Sequence, residues 1–268
     1  MNLAFIGMGG SGIVGDIMKV VLEEKGNEVS VIKDYRIPNY LNKDFLVFVI
    51  SYSGNTFETL RCFKQCIRKK IKKIVVVTSD GRLNEIAEKK NVKIIKVKKG
   101  LLPREALFDM LFPILDYFKI KYKKSKYEFS KFNYLIDKIN QSTRVYAIGK
   151  FYPVALRMLN QFNENCKISF KISFFPELMH NEIESYLNLK EKINIIIFRE
   201  GKEKIIDAFK NVVRDKANFY EIRPKGKTII DNLIYLISLV DYLSYKFAEK
   251  NKIYFKKTPL IDAYKKYL

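Results

Sequence analysis

Short runs of apolar, mostly β-branched residues alternate with longer amphipathic stretches along this chain of 268 residues. Runs of this kind, bounded by turn residues, are typical of βαβ units, in which helices connect neighbouring parallel strands. In the first half we predict strands at Leu3–Gly7, Val29–Lys33, Phe45–Ile50, Lys73–Thr78 and Lys93–Val97, and helices near Gly12–Lys25, Thr56–Lys70, Leu83–Lys89 and Arg104–Phe118. The pattern predicts an α/β fold with an open, mostly parallel sheet flanked by helices.

The same alternation restarts after Lys119–Lys126, a charged tract without periodicity that is typical of a linker. A helical stretch follows at Phe132–Asn140. We then predict strands at Val145–Gly149, Lys167–Ile172, Ile193–Phe198 and Asn218–Arg223, and helices at Tyr152–Asn163, Lys202–Arg214 and Asn232–Lys250. Two successive α/β domains are therefore expected, residues 1–120 and residues 121–268, each large enough to bury its own core.

The counts of histidine and cysteine exclude several kinds of metal site. The chain has one His, His180, and three Cys, namely Cys62, Cys66 and Cys166. Zinc hydrolases and cupins need two or three imidazoles, so metal catalysis through His ligands is excluded. Three cysteines without a CxxC pair cannot build a disulfide framework, and they indicate a reducing compartment. We expect all three to be small, buried apolar side chains.

Charge and hydropathy bear on partners and location. The 50 Lys and Arg outnumber the 29 Asp and Glu, which gives a net charge of +21. Lys dominates and is spread over the whole chain, whereas nucleic-acid readers cluster Arg with aromatic residues, so we favour a solvated basic surface over nucleic-acid binding. No window is long and apolar enough for a membrane span, and there is no signal-peptide pattern. We expect a cytoplasmic protein with neither nucleic acid nor membrane as a partner.

A glycine-rich loop follows the first predicted strand and opens the first helix. Gly7–Gly12, with the sequence GMGGSG, satisfies GxGxxG, and Asp34 stands where a dinucleotide-binding fold holds a ribose. An NAD-dependent dehydrogenase is therefore a rival interpretation. The same glycines would let the backbone approach any phosphate or sugar at a helix N terminus, where N–H groups and the helix dipole favour anions.

A second loop, Ser51–Thr56, carries hydroxyls at the end of the third predicted strand. Its sequence is SYSGNT, so Ser51, Ser53 and Thr56 bring three hydroxyls to the start of a helix, and Gly54 permits a tight turn. This arrangement suits a phosphate monoester, whose oxygens need several short donors. Helix capping and turn formation would explain Thr56 or Ser53 alone, but not the whole run. Phosphate binding is the interpretation we favour.

These two loops resemble those of the sugar isomerase (SIS) domain, which binds phosphosugars. Further motifs narrow the resemblance to the archaeal-type bifunctional phosphoglucose/phosphomannose isomerases. They are VTSDGRL at Val77–Leu83, PREAL from Pro103, NEN at Asn163–Asn165, PELMHNE from Pro176 and TPLIDAYK from Thr258. The resemblance implies two SIS-type domains and a cofactor-free, metal-independent aldose–ketose isomerase. It also implies a homodimer in which His180 serves the neighbouring subunit.

The resemblance also implies a role for each matching residue. The catalytic residues that it implies are Glu164 as the base, His180 for ring opening, Arg104 and Lys265. The substrate-binding residues that it implies are Gly9, Gly10 and Ser11 for the sugar, Ser51, Ser53 and Thr56 for the phosphate, and Thr258 beside the sugar. A Thr at position 258, rather than a larger amide, would leave room for a mannose epimer.

The chemistry of these residue types agrees with the implied reaction. Moving a proton from C2 to C1 of a sugar through a cis-enediol needs one carboxylate, a fixed cation near the enediolate, and a proton shuttle for ring opening. Other interpretations stay open: another SIS isomerase acting on a pentose or amino-sugar phosphate, the NAD dehydrogenase, and a non-catalytic phosphosugar sensor or basic nucleic-acid regulator.

Overall fold

The structure is a computed structural model that describes residues 1–267. The chain divides into two compact units. The first consists of Met1–Tyr122 together with Lys266 and Tyr267, and the second consists of Lys123–Lys265.

The first unit contains one parallel sheet of five strands in the order β2-β1-β3-β4-β5. The strands are β1 (Asn2–Ile6), β2 (Glu28–Ile32), β3 (Leu46–Ile50), β4 (Ile74–Thr78) and β5 (Lys93–Lys96). The helices are α1 (Gly9–Glu23), α2 (Phe57–Arg68), α3 (Arg82–Lys89) and α4 (Leu107–Tyr117). Strands β3 and β4 are buried along their whole length, as expected when helices cover both faces of a parallel sheet.

The strand order places a topological switch point between β1 and β3. From β1 the chain moves to β2 on one side, and it later returns to β3 on the other side of β1. The loops that follow β1 and β3 therefore diverge at the carboxyl edge of the sheet. Open α/β sheets with this strand order bind ligands in the crevice at such a point. Both loops singled out in the sequence, Gly7–Gly12 and Ser51–Thr56, lie there.

The second unit contains a parallel sheet of four strands in the order β7-β6-β8-β9. The strands are β6 (Arg144–Ile148), β7 (Lys171–Phe175), β8 (Ile193–Phe198) and β9 (Ala217–Ile222). The helices are α5 (Tyr152–Gln161), α6 (Lys204–Val212), α7 (Ile229–Lys250) and α8 (Pro259–Tyr264). Two parallel α/β sheets flanked by helices confirm the predicted fold class.

Several element boundaries differ from the sequence-based predictions. The strand expected at Lys167–Ile172 is β7, which begins at Lys171, because a π-helical turn at Phe162–Cys166 extends α5 and Lys167 then adopts a left-handed conformation with φ 57°. The helical stretch predicted at Phe132–Asn140 is a 3-10 helix, Ser130–Lys138. The short helix α8 was not predicted, since six residues carry too little periodicity to be recognised.

The three cysteines are free and buried, as predicted. Burial raises the pKa of the Cys62 thiol to about 11 and the pKa values of Cys66 and Cys166 to about 12. All three thiols therefore stay protonated at neutral pH and act as packing groups.

Within residues 1–267, none of the helices combines the length and the apolar character that crossing a membrane requires. Over the same residues, the structure brings together no set of three or more His, Cys, Asp or Glu side chains suited to holding a metal ion.

Candidate active site

The glycine loop after β1 forms the first turn of α1. Gly9 and Gly10 are the first two residues of the helix, and Gly9 has a positive φ of 50°. The Ser11 hydroxyl accepts a hydrogen bond from the backbone N–H of Tyr52, with 3.2 Å between Oγ and N. It lies 3.5 Å from Sδ of Met110 in α4. Ser11 thus joins the loop after β1 to the loop after β3.

The hydroxyl loop after β3 brings its side chains together at the start of α2. The hydroxyls of Ser51 and Thr56 lie 3.1 Å apart, and Ser53 Oγ accepts from the backbone N–H of Asn55 at 3.3 Å. Thr56 occupies the N-cap position of α2, yet its side chain makes no capping hydrogen bond. Two hydroxyls and an uncapped helix N terminus therefore meet at one point, which suits an anion with several acceptor oxygens.

The loop between β4 and α3 forms several hydrogen bonds with the hydroxyl loop. The Gly54 carbonyl accepts from Leu83 N–H at 2.9 Å, and the Asn55 side-chain oxygen accepts from Arg82 N–H at 3.1 Å. The Tyr52 carbonyl accepts from both the N–H and the hydroxyl of Ser79, at 3.0 and 2.6 Å. The VTSDGRL motif, to which sequence reasoning assigned no role, therefore holds the hydroxyl loop in place.

Gly54 is the position where this support is tightest. Its φ is 67°, and a Cβ built there would lie 1.7 Å from the carbonyl oxygen of Asp80. Gly26 is a matched control, because its φ is 75° but no atom lies within 4 Å of its ideal Cβ. We expect Gly26→Ala to cost about 1 kcal/mol of folding free energy from backbone strain alone. Gly54→Ala should cost clearly more, and it should weaken the binding of inorganic phosphate.

Denaturant unfolding and phosphate titration of both variants test this expectation. Equal losses of stability in the two variants, with unchanged phosphate affinity in Gly54→Ala, would contradict it.

Asp34, the second part of the dinucleotide-binding pattern, lies two residues beyond the end of β2. Its carboxylate accepts hydrogen bonds from the backbone N–H groups of Tyr35 and Arg36, at 2.5 and 3.3 Å. The neighbouring Lys33 pairs with Asp16 of α1 at 2.5 Å. Burial raises the pKa of Asp16, and Lys33 opposes that shift. The Asp34 carboxylate thus closes its own turn.

Arg104 lies in the connection between β5 and α4. The sequence predicts a helix from Arg104, but α4 begins at Leu107, and Arg104 belongs to a preceding turn closed by a 2.8 Å hydrogen bond from Glu105 N–H to the Leu102 carbonyl. The Glu105 carboxylate accepts from Leu102 N–H at 3.1 Å, so side chain and backbone together close this turn. Arg104 is only 4% exposed, which is rare for an arginine.

Glu164 lies in the π-helical turn Phe162–Cys166 that ends α5, and its side chain is half-buried. Such turns occur disproportionately at functional sites. Lys167 Nζ donates to the Glu164 carbonyl at 2.5 Å and to the Lys257 carbonyl at 2.8 Å. Lys167 therefore ties the turn that bears Glu164 to the segment that precedes Thr258.

A row of buried polar side chains fastens this turn to α7. Arg157, Gln161 and Asn165 follow one another at intervals of four residues and so lie on one helical face. Arg157 forms two hydrogen bonds with Asp241, at 2.8 and 2.9 Å, and Gln161 donates to the same carboxylate at 2.7 Å. Asn165 donates to the Ser244 hydroxyl at 3.0 Å. The row holds the backbone on either side of Glu164.

His180 ends a short 3-10 helix, Glu177–His180, on a segment that follows β7. Its imidazole is exposed, and within residues 1–267 it has no hydrogen-bond partner. The two carboxylates that flank it in the sequence bond other groups. Glu177 accepts from Asn181 at 3.0 Å, whereas Glu182 is buried against the Tyr146 hydroxyl at 2.5 Å.

Thr258 and Lys265 stand at opposite ends of α8. Thr258 precedes the first residue of the helix and Lys265 follows its last, so about 10 Å of helix axis separates them. The Thr258 hydroxyl lies 3.5 Å from both carboxylate oxygens of Asp262. Lys265 is exposed.

Comparisons with known proteins bear on this arrangement. The SIS domain family model matches residues 1–100, and the model described as the bacterial phospho-glucose isomerase C-terminal SIS domain matches residues 136–268. The bifunctional phosphoglucose/phosphomannose isomerase of Aquifex aeolicus is 31% identical over an alignment that covers 92% of this chain and 84% of the relative. The chain belongs to the bifunctional phosphoglucose/phosphomannose isomerase family.

Two further similar proteins are named for other reactions on sugar phosphates. A D-glucosamine-6-phosphate 4-epimerase of Sulfolobus acidocaldarius is 30% identical over an alignment that covers 94% of this chain and 84% of that protein. Among solved structures, a glucosamine-6-phosphate deaminase from Thermotoga maritima has a TM-score of 0.71 at 17% identity and covers 96% of this chain and 88% of its own. At that identity the match supports the fold, with two SIS domains, and nothing finer.

Three residues of the candidate site region in this family member were not singled out from the sequence. Tyr52 and Asn165 lie inside recognised motifs, but they bond residues that are distant in the sequence. Only the structure shows these partners. Thr59 lies one turn beyond Thr56 on α2, and it is 1% exposed. Its hydroxyl is the one buried side-chain oxygen or nitrogen that lacks a hydrogen-bond partner within residues 1–267.

Proposed function

We propose that this chain interconverts glucose 6-phosphate and mannose 6-phosphate with fructose 6-phosphate through a cis-enediol. The observation that carries the proposal is the meeting of the Ser51 and Thr56 hydroxyls with the uncapped N terminus of α2 at the switch point of the first sheet. Membership of the isomerase family supports the same reaction.

The hydroxyl loop is proposed to hold the phosphate. Ser51, Ser53 and Thr56 would donate to phosphate oxygens, and the dipole of α2 would favour the dianion. A buried hydroxyl without a partner is rare in proteins. The orphaned hydroxyl of Thr59 therefore supports a polar group, a phosphate oxygen or a water beside it, entering this end of α2. Gly9, Gly10 and Ser11 are proposed to contact the sugar.

Glu164 is proposed as the base that moves the proton between C2 and C1. A single carboxylate can remove the proton from one carbon and return it to the other. Arg104 would stabilise the charge of the enediolate, because a guanidinium stays protonated throughout. Its burial supports this role, since water does not screen a buried cation.

Ring opening is proposed to depend on His180, with Lys265 as its companion. An imidazole can shuttle a proton at the ring oxygen because it titrates near neutral pH. We propose a homodimer in which His180 serves the neighbouring subunit, and its exposure without a hydrogen-bond partner in residues 1–267 is consistent with that. Thr258 is proposed to admit the mannose epimer. We also propose that the enzyme needs neither cofactor nor metal and is cytoplasmic.

A coupled assay of fructose 6-phosphate formation, in the presence of a chelator, tests the function. We expect turnover of both glucose 6-phosphate and mannose 6-phosphate. Turnover of glucose 6-phosphate alone would overturn the dual specificity, and no turnover of either would overturn the proposed function.

A second candidate is an activity on an amino-sugar phosphate, which the similarity to the Sulfolobus acidocaldarius epimerase favours. Incubation with D-glucosamine 6-phosphate, followed by NMR of the product, separates the two. Epimerisation at C4 with no fructose 6-phosphate from either hexose phosphate would select this second candidate.

A further inference from the structure

Tyr52 connects three loops of the first unit through three different polar groups. Its backbone N–H donates to the Ser11 hydroxyl, and its carbonyl accepts from Ser79. Its phenol hydroxyl donates to the Lys98 carbonyl and accepts from the Leu101 N–H, both at 2.9 Å. The side chain is 5% exposed, so these bonds form where water competes little.

The phenol hydroxyl bonds two backbone groups in the connection between β5 and α4. Lys98 and Leu101 flank Gly100, which has a φ of 96°, in the connection between β5 and α4. Arg104 lies three residues beyond Leu101 in the same connection. Tyr52 itself lies between Ser51 and Ser53, the hydroxyls proposed to hold phosphate. One side chain thus links the loop proposed to hold phosphate to the segment that bears Arg104, the cation proposed to stabilise the enediolate.

We propose that Tyr52 is a positioning residue, which sets Arg104 relative to the phosphate loop through its hydroxyl. The inference rests on the proposed function, in which Arg104 acts on the reacting carbons. A misplacement of about 1 Å at such a cation can cost about 100-fold in rate. The groups proposed to hold phosphate should stay in place when only the phenol hydroxyl is removed, because the backbone of Tyr52 keeps its bonds to Ser11 and Ser79.

The test compares Tyr52→Phe with Tyr40→Phe. Tyr40 is a matched control, because its hydroxyl bonds the Ser30 hydroxyl at 3.1 Å on the surface of the same unit, and it is 57% exposed. We expect Tyr52→Phe to lower kcat for glucose 6-phosphate by about 10- to 100-fold. Its affinity for inorganic phosphate, measured by calorimetry, should stay unchanged. Tyr40→Phe should change neither quantity.

A double-mutant cycle with Arg104→Gln shows whether Tyr52 acts through Arg104. If it does, adding Tyr52→Phe to Arg104→Gln lowers kcat no further. An unchanged kcat in Tyr52→Phe, fully additive losses in the cycle, or a loss of phosphate affinity as large as the loss in kcat would each overturn the inference. Absence of turnover by the unsubstituted chain would instead overturn the proposed function, and this inference with it.

Discussion

Glu164→Gln is expected to lower kcat for the conversion of glucose 6-phosphate to fructose 6-phosphate by about 10⁴-fold, the upper range for removal of a general base. The amide keeps the size of the side chain and its place in the π-helical turn. The hydrogen bonds that position this turn come from Asn165 and Lys167, and the substitution leaves both intact. KM should therefore change little, because the loss falls on the transition state.

Isotope exchange provides the sharpest readout of this prediction. In D₂O the unsubstituted enzyme should introduce solvent deuterium at the carbon that is reprotonated, and Glu164→Gln should not. Glu184→Gln is a suitable control, since Glu184 is an exposed carboxylate of the second unit in the 3-10 helix Glu182–Tyr186. Exchange that persists in Glu164→Gln at the rate of the unsubstituted enzyme would assign the proton transfer to another residue.

Hydrophobic periodicity was enough to predict the central strands and most of the helices. Strands β3 and β4 are continuous apolar runs, because both faces of a parallel sheet are covered, and this pattern is visible in the sequence. The prediction was wrong where local hydrogen bonds override periodicity. Arg104 lies in a separate hydrogen-bonded turn before α4, and the π-helical turn after α5 delays β7.

The loops of the candidate site were predictable as motifs, but their connections were not. The clustering of Ser51, Ser53 and Thr56 follows from a strand that leads directly into a helix. The bonds of Tyr52 reach residues 41 positions earlier and 49 positions later in the chain, and no local pattern encodes such distances. The roles of Glu164, His180, Arg104, Thr258 and Lys265 were assigned by resemblance, and they stay predictions.

The buried ion pair between Arg157 and Asp241 allows a prediction about stability. The Arg157 side chain is 1% exposed and the Asp241 side chain 21%, and two hydrogen bonds join them. Removing the negative charge alone leaves the buried guanidinium without the carboxylate that neutralises it, and breaking a buried ion pair in this way typically costs about 3 to 5 kcal/mol. Asp241→Asn should therefore lower the free energy of unfolding by about 3 kcal/mol. Because the same row holds the turn of Glu164, kcat should fall as well.

Hydrogen exchange of α5 and α7, together with denaturant unfolding, measures this loss where it arises. Glu249→Gln is the matched control on α7, because its pair with Lys246 is exposed and should contribute little to stability. Replacing both partners, as in Arg157→Met with Asp241→Leu, should recover much of the stability, since the desolvation cost of both charges disappears. A free energy of unfolding of Asp241→Asn equal to that of the Glu249→Gln control would contradict the prediction. That result would show that Gln161 and water compensate the guanidinium. The turn that bears Glu164 would then be held by the bonds of Asn165 and Lys167.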